Sequence, residues 1–180
     1  MHMNAPNAAN YFELFKGAAL HGYPPAEWSR QIDLVQSPGA FGKMRPRLEA
    51  FHGPAEYSYQ TAGSFRKLGA LKAAYGHYSR LAGVSFNACL VNLYRDGADS
   101  VAWHADDEKD MGPVVLSVSY GSTRRFAVRC NATRKVTSFD LEHKDVLIMH
   151  PGAQSLFQHC IRKTAQPVGP RLSMTFRTML

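Results

Sequence analysis

The chain has 180 residues and a mass of 20.0 kDa, enough for one domain with a full hydrophobic core. Hydrophobic residues make up 45% and charged residues 19%, which excludes a disordered polyelectrolyte, and no apolar run approaches the ~20 residues that span a bilayer. The 21 Lys and Arg outnumber the 14 Asp and Glu, leaving a net charge of +7, and this favours a polyanionic partner such as nucleic acid.

The basic residues are clustered. They fall at Lys43, Arg45 and Arg47; at Arg66, Lys67 and Lys72; at Arg124, Arg125, Arg129, Arg134 and Lys135; and at Arg162 and Lys163. The stretch Met1 to Pro6 is polar and lacks the apolar core of a secretory signal. Three cysteines, Cys89, Cys130 and Cys160, are an odd number, and two lie in apolar runs. They are expected to be reduced, in a cytoplasmic or nuclear protein.

Along the chain, Pro24-Pro25 before Ala26-Glu27-Trp28 reads as a short helix start. Over residues 64–81, Phe65, Leu68, Leu71, Ala74 or Tyr75, Tyr78 and Leu81 recur at three- and four-residue steps, an amphipathic helix ended by Gly83. From residue 86 the texture changes to short β-rich runs at 86–94, 101–106, 114–120, 125–130, 136–141, 146–150, 156–161 and 172–178. Turn residues separate them: Asp96-Gly97, Gly112-Pro113, Gly121-Ser122, Asn131-Ala132, His143-Lys144-Asp145 and Pro151-Gly152. The pattern predicts an all-β sandwich or barrel with the helix packed outside.

Residues two apart in a strand share a face. His104 and Asp106 therefore point the same way, as do Asn92 and Tyr94. Arg171, Ser173, Thr175 and Arg177 line one face of the last run, with Leu172, Met174 and Phe176 behind them. Such a row suits either an interior polar pocket or an outer face in water. Two imidazoles and one carboxylate are the ligand set of a non-haem iron site with open positions. His150 competes with His159 as the third ligand, but His150 immediately precedes the Pro151-Gly152 turn whereas His159 lies within a strand-like run, which places His159 ahead. The arginines suit a dicarboxylate, which guanidinium forks bind by paired hydrogen bonds.

Taken in order, Asn92-Leu93-Tyr94-Arg95-Asp96-Gly97, His104-Ala105-Asp106-Asp107-Glu108, Ser117-Val118-Ser119-Tyr120-Gly121, Leu147-Ile148-Met149, His159 and Pro170-Arg171-Leu172-Ser173-Met174-Thr175-Phe176-Arg177 form a specific set. This ordered set resembles the AlkB-type Fe(II)/2-oxoglutarate-dependent dioxygenases over about residues 40 to 180. It is most similar to their nuclear members that repair alkylated DNA or RNA. The resemblance implies a mainly β fold with flanking helices and a double-stranded β-helix (jelly-roll) core. Residues 1–85 would hold N-terminal helices and a nucleotide-recognition lid, and 86–180 the catalytic core of the same domain. It implies Fe(II) on His104, Asp106 and His159. It implies 2-oxoglutarate near Asn92, Tyr94, Arg171, Thr175 and Arg177, with O2 as co-substrate. Arg171 would meet the distal carboxylate and Arg177 the metal end.

The lid would contain Arg47 and the segment Tyr57-Ser58-Tyr59, with Tyr59 stacking a flipped base against His104. Phe41, Gly42 and Lys43 look like a hairpin that enters a duplex stack, with Phe41 as the wedge. Asp107 and Glu108 would approach a cationic alkylated base. Ser173 departs from the family's commoner Asn, and the loop after Cys130 is short. The implied activity is oxidative demethylation of N1-methyladenine and N3-methylcytosine in DNA, and in RNA, by a monomer with no membrane attachment. The rival readings are an oxygenase acting on RNA only or on protein, and a nucleic-acid-binding module without catalysis.

Overall fold

The computed structural model describes residues 5–20, 31–39, 43–54, 63–64 and 69–180. Ten strands and a long helix dominate: β1 (Phe12–Phe15), β2 (Leu48–His52), α1 (Gly69–Ala82), β3 (Ala88–Tyr94), β4 (Val101–His104), β5 (Val115–Gly121), β6 (Arg124–Cys130), β7 (Val136–Leu141), β8 (Val146–Met149), the single-turn α2 (Ala153–Leu156), β9 (Phe157–Ile161) and β10 (Arg171–Arg177). Two antiparallel sheets face each other. The larger has the order β1-β8-β5-β10-β3-β2 and the smaller β4-β9-β6-β7. This is the jelly-roll arrangement, mainly β with flanking helix.

Alternation along the strands builds three layers. On the outer face of the large sheet, Cys89, Val91, Leu116, Val118, Val146, Ile148, Leu172, Met174 and Phe176 meet Leu71, Ala74 and Tyr78 of α1. Phe176 is the contact point, with its ring 4.9 Å from Tyr78 and 5.5 Å from Tyr75. Between the sheets, Phe12, Val115, Leu147 and Met149 pack on Phe126, Val128, Phe157 and Ile161. That apolar plug fills one end of the sandwich, and the other end stays open. At about 25 cal/mol per Å² of apolar surface, each fully buried aliphatic or phenyl side chain contributes roughly 1.5–3 kcal/mol.

All eight β-rich runs are strands, with no end shifted by more than two residues. The predicted helix is present as α1, ending at Gly83 with φ +69°; Phe65 and Leu68 lie outside the described residues, as do Pro24 to Trp28. Leu81 is 36% exposed and Ala82 takes its place against the core. The reason is periodic: after 71, 74 and 78, a 3.6-residue turn returns to 82. Two strands carried no sequence signal. β1 is four residues long and pairs with β8. β2, mixed in polarity, pairs with β3. Cys89, Cys130 and Cys160 are free and buried, and no helix among the described residues is long and apolar enough to cross a membrane.

The chain crosses from the large to the small sheet at Gly121, whose φ of +93° and contact with the Pro170 carbonyl leave no room for a side chain. Asp145 supplies a second fixed point. It is 2% exposed and accepts hydrogen bonds from Lys16 Nζ (2.9 Å), Gly17 N (3.1 Å) and Glu142 N (2.8 Å). Burial pushes its carboxyl up, but the bonds from Lys16 and the two backbone amides outweigh that and hold it below 3.8. Asp145→Ala is expected to lower stability by about 1–3 kcal/mol at pH 7, because three donors lose their acceptor. A depressed folded-state value contributes stability above about pH 4 and loses it as the pH falls further. Urea unfolding at pH 7 and pH 3 checks both points: the gap between wild type and variant should narrow at the lower pH.

Candidate active site

The open end of the sandwich is a cavity of about 820 Å³. A polar row runs across four strands beneath it, with Glu49, Asn92 and Ser173 lining the cavity. Glu49 of β2 is opposite Asn92 of β3, Asn92 opposite Ser173 of β10, and Ser173 opposite Ser119 of β5. β10 is central, and all seven of its residues are buried. Its polar side, Arg171, Ser173, Thr175 and Arg177, faces the cavity, while Leu172, Met174 and Phe176 face α1. The row is an interior one, and the alternative of an outer face in water does not hold.

Opposite this row, the small sheet brings three potential metal ligands together. His104 and His159 are register partners on β4 and β9, and Asp106 follows β4. The donor atoms of His104, Asp106 and His159 all lie within 4.8 Å of one another, with Nε2 of His104 3.8 Å and Nε2 of His159 3.7 Å from the Asp106 carboxylate. His104 Nδ1 is 2.8 Å from the Ala102 carbonyl. Donating there, it leaves the Nε2 lone pair for a metal. The His159 ring is held differently, stacked on Phe126 at 5.0 Å and 23°. His159 is buried, and burial pushes it down to about 3, so the neutral, ligating form persists at pH 7. His150, the competing third ligand, is elsewhere: its Nε2 pairs with Glu13 at 2.9 Å.

Asp106 is 5% exposed. Burial raises its carboxyl, but the Arg177 guanidinium, the largest opposing influence, holds it ionised below the usual range. Arg177 Nη2 donates to Asp106 Oδ1 at 2.7 Å and Nη1 to Glu108 Oε1 at 3.0 Å. The Asp106 backbone N–H donates to Gln154 Oε1 at 2.9 Å, so α2 locks the ligand loop. Nothing in the sequence singled out Gln154.

Arg171 sits deeper. Burial lowers it to about 10, which still leaves it cationic at pH 7. Nη2 donates to Ser119 Oγ at 2.8 Å, the guanidinium lies 5.4 Å over the Tyr94 ring, and Nε is buried without a hydrogen-bond partner among the described residues. A buried cation with a spare donor fits an anionic guest. Two imidazoles and an ionised carboxylate at one point likewise fit a divalent metal. The residues present therefore suit both a metal and a dicarboxylate.

Asn92, Tyr94 and Thr175 line the same cavity, as do Lys43, Arg47 and Glu108. Asp107 is exposed and does not line it. Phe41, Gly42, Tyr57, Ser58 and Tyr59 lie outside the described residues. Arg47 is turned inward, onto Glu49, Asn92 and the Ser100 carbonyl. Arg124, read from the sequence as part of a surface cluster, is 3% exposed and donates to the carbonyls of Asp96, Asp99 and Arg162. Trp103 and Arg162 line the cavity, and the guanidiniums of Arg129 and Arg162 lie 4.4 and 5.2 Å from the Trp103 ring.

A family model for the 2OG-Fe(II) oxygenase superfamily matches residues 30–177. The mouse alpha-ketoglutarate-dependent dioxygenase alkB homolog 3 is 34% identical over 149 residues, 75% of this chain and 52% of that protein. The human DNA oxidative demethylase ALKBH2 is 30% identical over 156 residues, 78% and 60% respectively. The chain thus spans about half the length of the first of these relatives. The solved structure of OsALKBH1 shares the fold with a TM-score of 0.68 at 18% identity, over 99% of this chain and 100% of that one.

Asp106→Ala is expected to cut divalent-metal affinity by more than the roughly 10–100-fold that loss of a group behind the ligands costs. His150→Ala should leave it unchanged. Calorimetric titration with Mn(II), alongside circular dichroism to confirm folding, checks the pair; tight binding by folded Asp106→Ala would remove the carboxylate from the site.

Proposed function

The chain belongs to the 2OG-Fe(II) oxygenase superfamily, and we propose that it removes alkyl groups oxidatively from nucleic-acid bases. The observation that carries this reading is a single cavity with the triad and two buried arginines at its base and a basic, aromatic rim at its mouth. Lys43, Arg45, Trp103, Arg162 and Lys163 form that rim. Phosphates are recognised by such cations and bases by stacking on aromatic or guanidinium planes. The names of the relatives, an alkB homolog and a DNA oxidative demethylase, support the same substrate class.

In this reading His104, Asp106 and His159 hold Fe(II). When bound together, Fe(II), 2-oxoglutarate and O2 supply the oxidising power to hydroxylate an N-methyl carbon, after which the hydroxymethyl group leaves as formaldehyde and the base is restored. The protein's own residues do the positioning. Arg171, with Tyr94 beside it, takes the distal carboxylate of 2-oxoglutarate, and Asn92 and Thr175 border its path to the metal end. Arg177 keeps Asp106 ionised and oriented. Glu108, held by Arg177, sets negative charge at the wall where a cationic methylated base enters. The apolar plug behind the triad keeps water from the closed end. N1-methyladenine and N3-methylcytosine, cationic when alkylated, are the lesions that match this charge pattern.

Two measurements test the reading. Mass analysis of oligonucleotides carrying these lesions, as DNA and RNA, single-stranded and duplex, should show loss of one methyl group dependent on 2-oxoglutarate; a methylated peptide as the only substrate turned over would refute it. Arg171→Lys keeps the charge but loses the fork, so the apparent KM for 2-oxoglutarate should rise about ten-fold or more, about 1–3 kcal/mol. An unchanged KM would take Arg171 out of the co-substrate site.

A further inference from the structure

Three charged groups on the cavity wall are arranged to serve Asn92. Glu49 projects from β2 and is 1% exposed. Two guanidiniums enclose it: Arg45 Nη1 reaches Oε1 at 3.1 Å and Oε2 at 2.9 Å, and Arg47 Nη2 reaches Oε1 at 2.6 Å. Arg47 then spends its remaining donors on the cavity lining. Nε donates to Asn92 Oδ1 at 2.8 Å, and Nη1 to the Ser100 carbonyl at 3.3 Å. Arg47 is thus pinned from three sides, with its side chain only 11% exposed.

The consequence falls on the Asn92 amide. Its two ends are nearly identical in shape but opposite in hydrogen-bonding character. A guanidinium Nε–H can only donate, so the group facing Arg47 must be the carbonyl oxygen. The amide cannot flip without setting two donors against each other. The Nδ2 donor is left on the side away from Arg47, and Asn92, 8% exposed, lines the cavity. An unsupported Asn would present carbonyl or amide indifferently, and its carbonyl would repel a carboxylate guest.

From this arrangement we infer that Glu49 and Arg47 are positioning residues, which lock Asn92 as a hydrogen-bond donor toward the bound 2-oxoglutarate. The inference rests on the functional reading above. It gives Arg47 a role different from contact with nucleic acid: its hydrogen-bonding capacity is directed into the protein. It also explains a carboxylate buried beside a cavity built for an anion. Glu49 is the counter-charge that keeps Arg47 from swinging into the cavity and pairing with the guest itself.

The test is a double-mutant cycle read as binding. With Mn(II) in place of iron, 2-oxoglutarate is titrated calorimetrically into the wild-type chain, Glu49→Gln, Asn92→Ala and the double variant, with folding checked by circular dichroism. Glu49→Gln should raise the Kd about ten-fold, the loss of one oriented hydrogen bond to a charged group. Asn92→Ala should do about the same, and the double variant should be no weaker than Asn92→Ala alone. A merely structural Glu49 would lower the melting temperature and leave the Kd in place; that outcome overturns the inference, as does additivity of the two changes. If Glu49→Gln does not fold, Arg47→Gln, in which Arg45 still covers Glu49, is read against Asn92→Ala in the same way. A wild-type chain that fails to bind 2-oxoglutarate overturns the functional reading itself, and this role with it.

Discussion

The whole molecule is organised by the burial of β10 on both faces. All seven residues of this central strand are buried, between α1 on one face and the cavity on the other, yet it carries two arginines at its ends. An ion moved into a protein interior loses several kcal/mol of hydration unless partners replace it. Each guanidinium therefore dictates what must stand opposite. Arg177 requires a carboxylate, and the loop after β4 supplies Asp106 and Glu108. Arg171 is given a hydroxyl and an aromatic face, from Ser119 and Tyr94, but no acid among the described residues. The same strand's other row is apolar and calls α1 onto the outer face.

The unequal treatment of the two arginines matters chemically. Because Arg177 is neutralised by the residue that would ligate the metal, the carboxylate does two jobs with one charge. Its pairing with Arg177 through Oδ1 holds it ionised and aims it, with His104 nearest that same oxygen and His159 facing Oδ2. Among the described residues no acid pairs with Arg171, so its charge leaves the deep end of the cavity positive. Polarity along the cavity then runs from an anionic metal-binding point to a cationic end, with hydroxyls and an amide between. A guest with a carboxylate at one end and chelating oxygens at the other fits that polarity in one orientation only.

What could be read from the residues follows from how local each signal is. The two-residue alternation of β10 needs only the strand itself, and its polar and apolar rows are as spaced. The His104, Asp106 pair is local for the same reason. The third ligand is only partly so: the strand-like run around His159 sets it ahead of His150, but its place beside His104 depends on β9 pairing with β4, between residues far apart in sequence. The Glu49, Arg47 and Asn92 association is equally non-local, because it depends on β2 docking at the edge of β3. Arg124 looks like any surface arginine until three carbonyls close around it. β1 and β2 are too short, or too mixed in polarity, for alternation to register. The jelly roll came chiefly from the ordered motifs; strand spacing alone left sandwich and barrel open.

The two walls that meet an incoming molecule hang from sheet margins. β2 is the last strand of the large sheet and β4 the last of the small one, and β4 has an irregular register between Val101 and His104. Segments attached at a margin can lengthen, shorten or change composition without a neighbour strand having to move. The end of the cavity formed by β10 has no such freedom, since β10 is clamped by β3 and β5 along its length. Evolution and protein engineering alike are thus offered a machine with a replaceable inlet: descendants of this architecture would diversify in what they admit long before they changed the reaction performed inside.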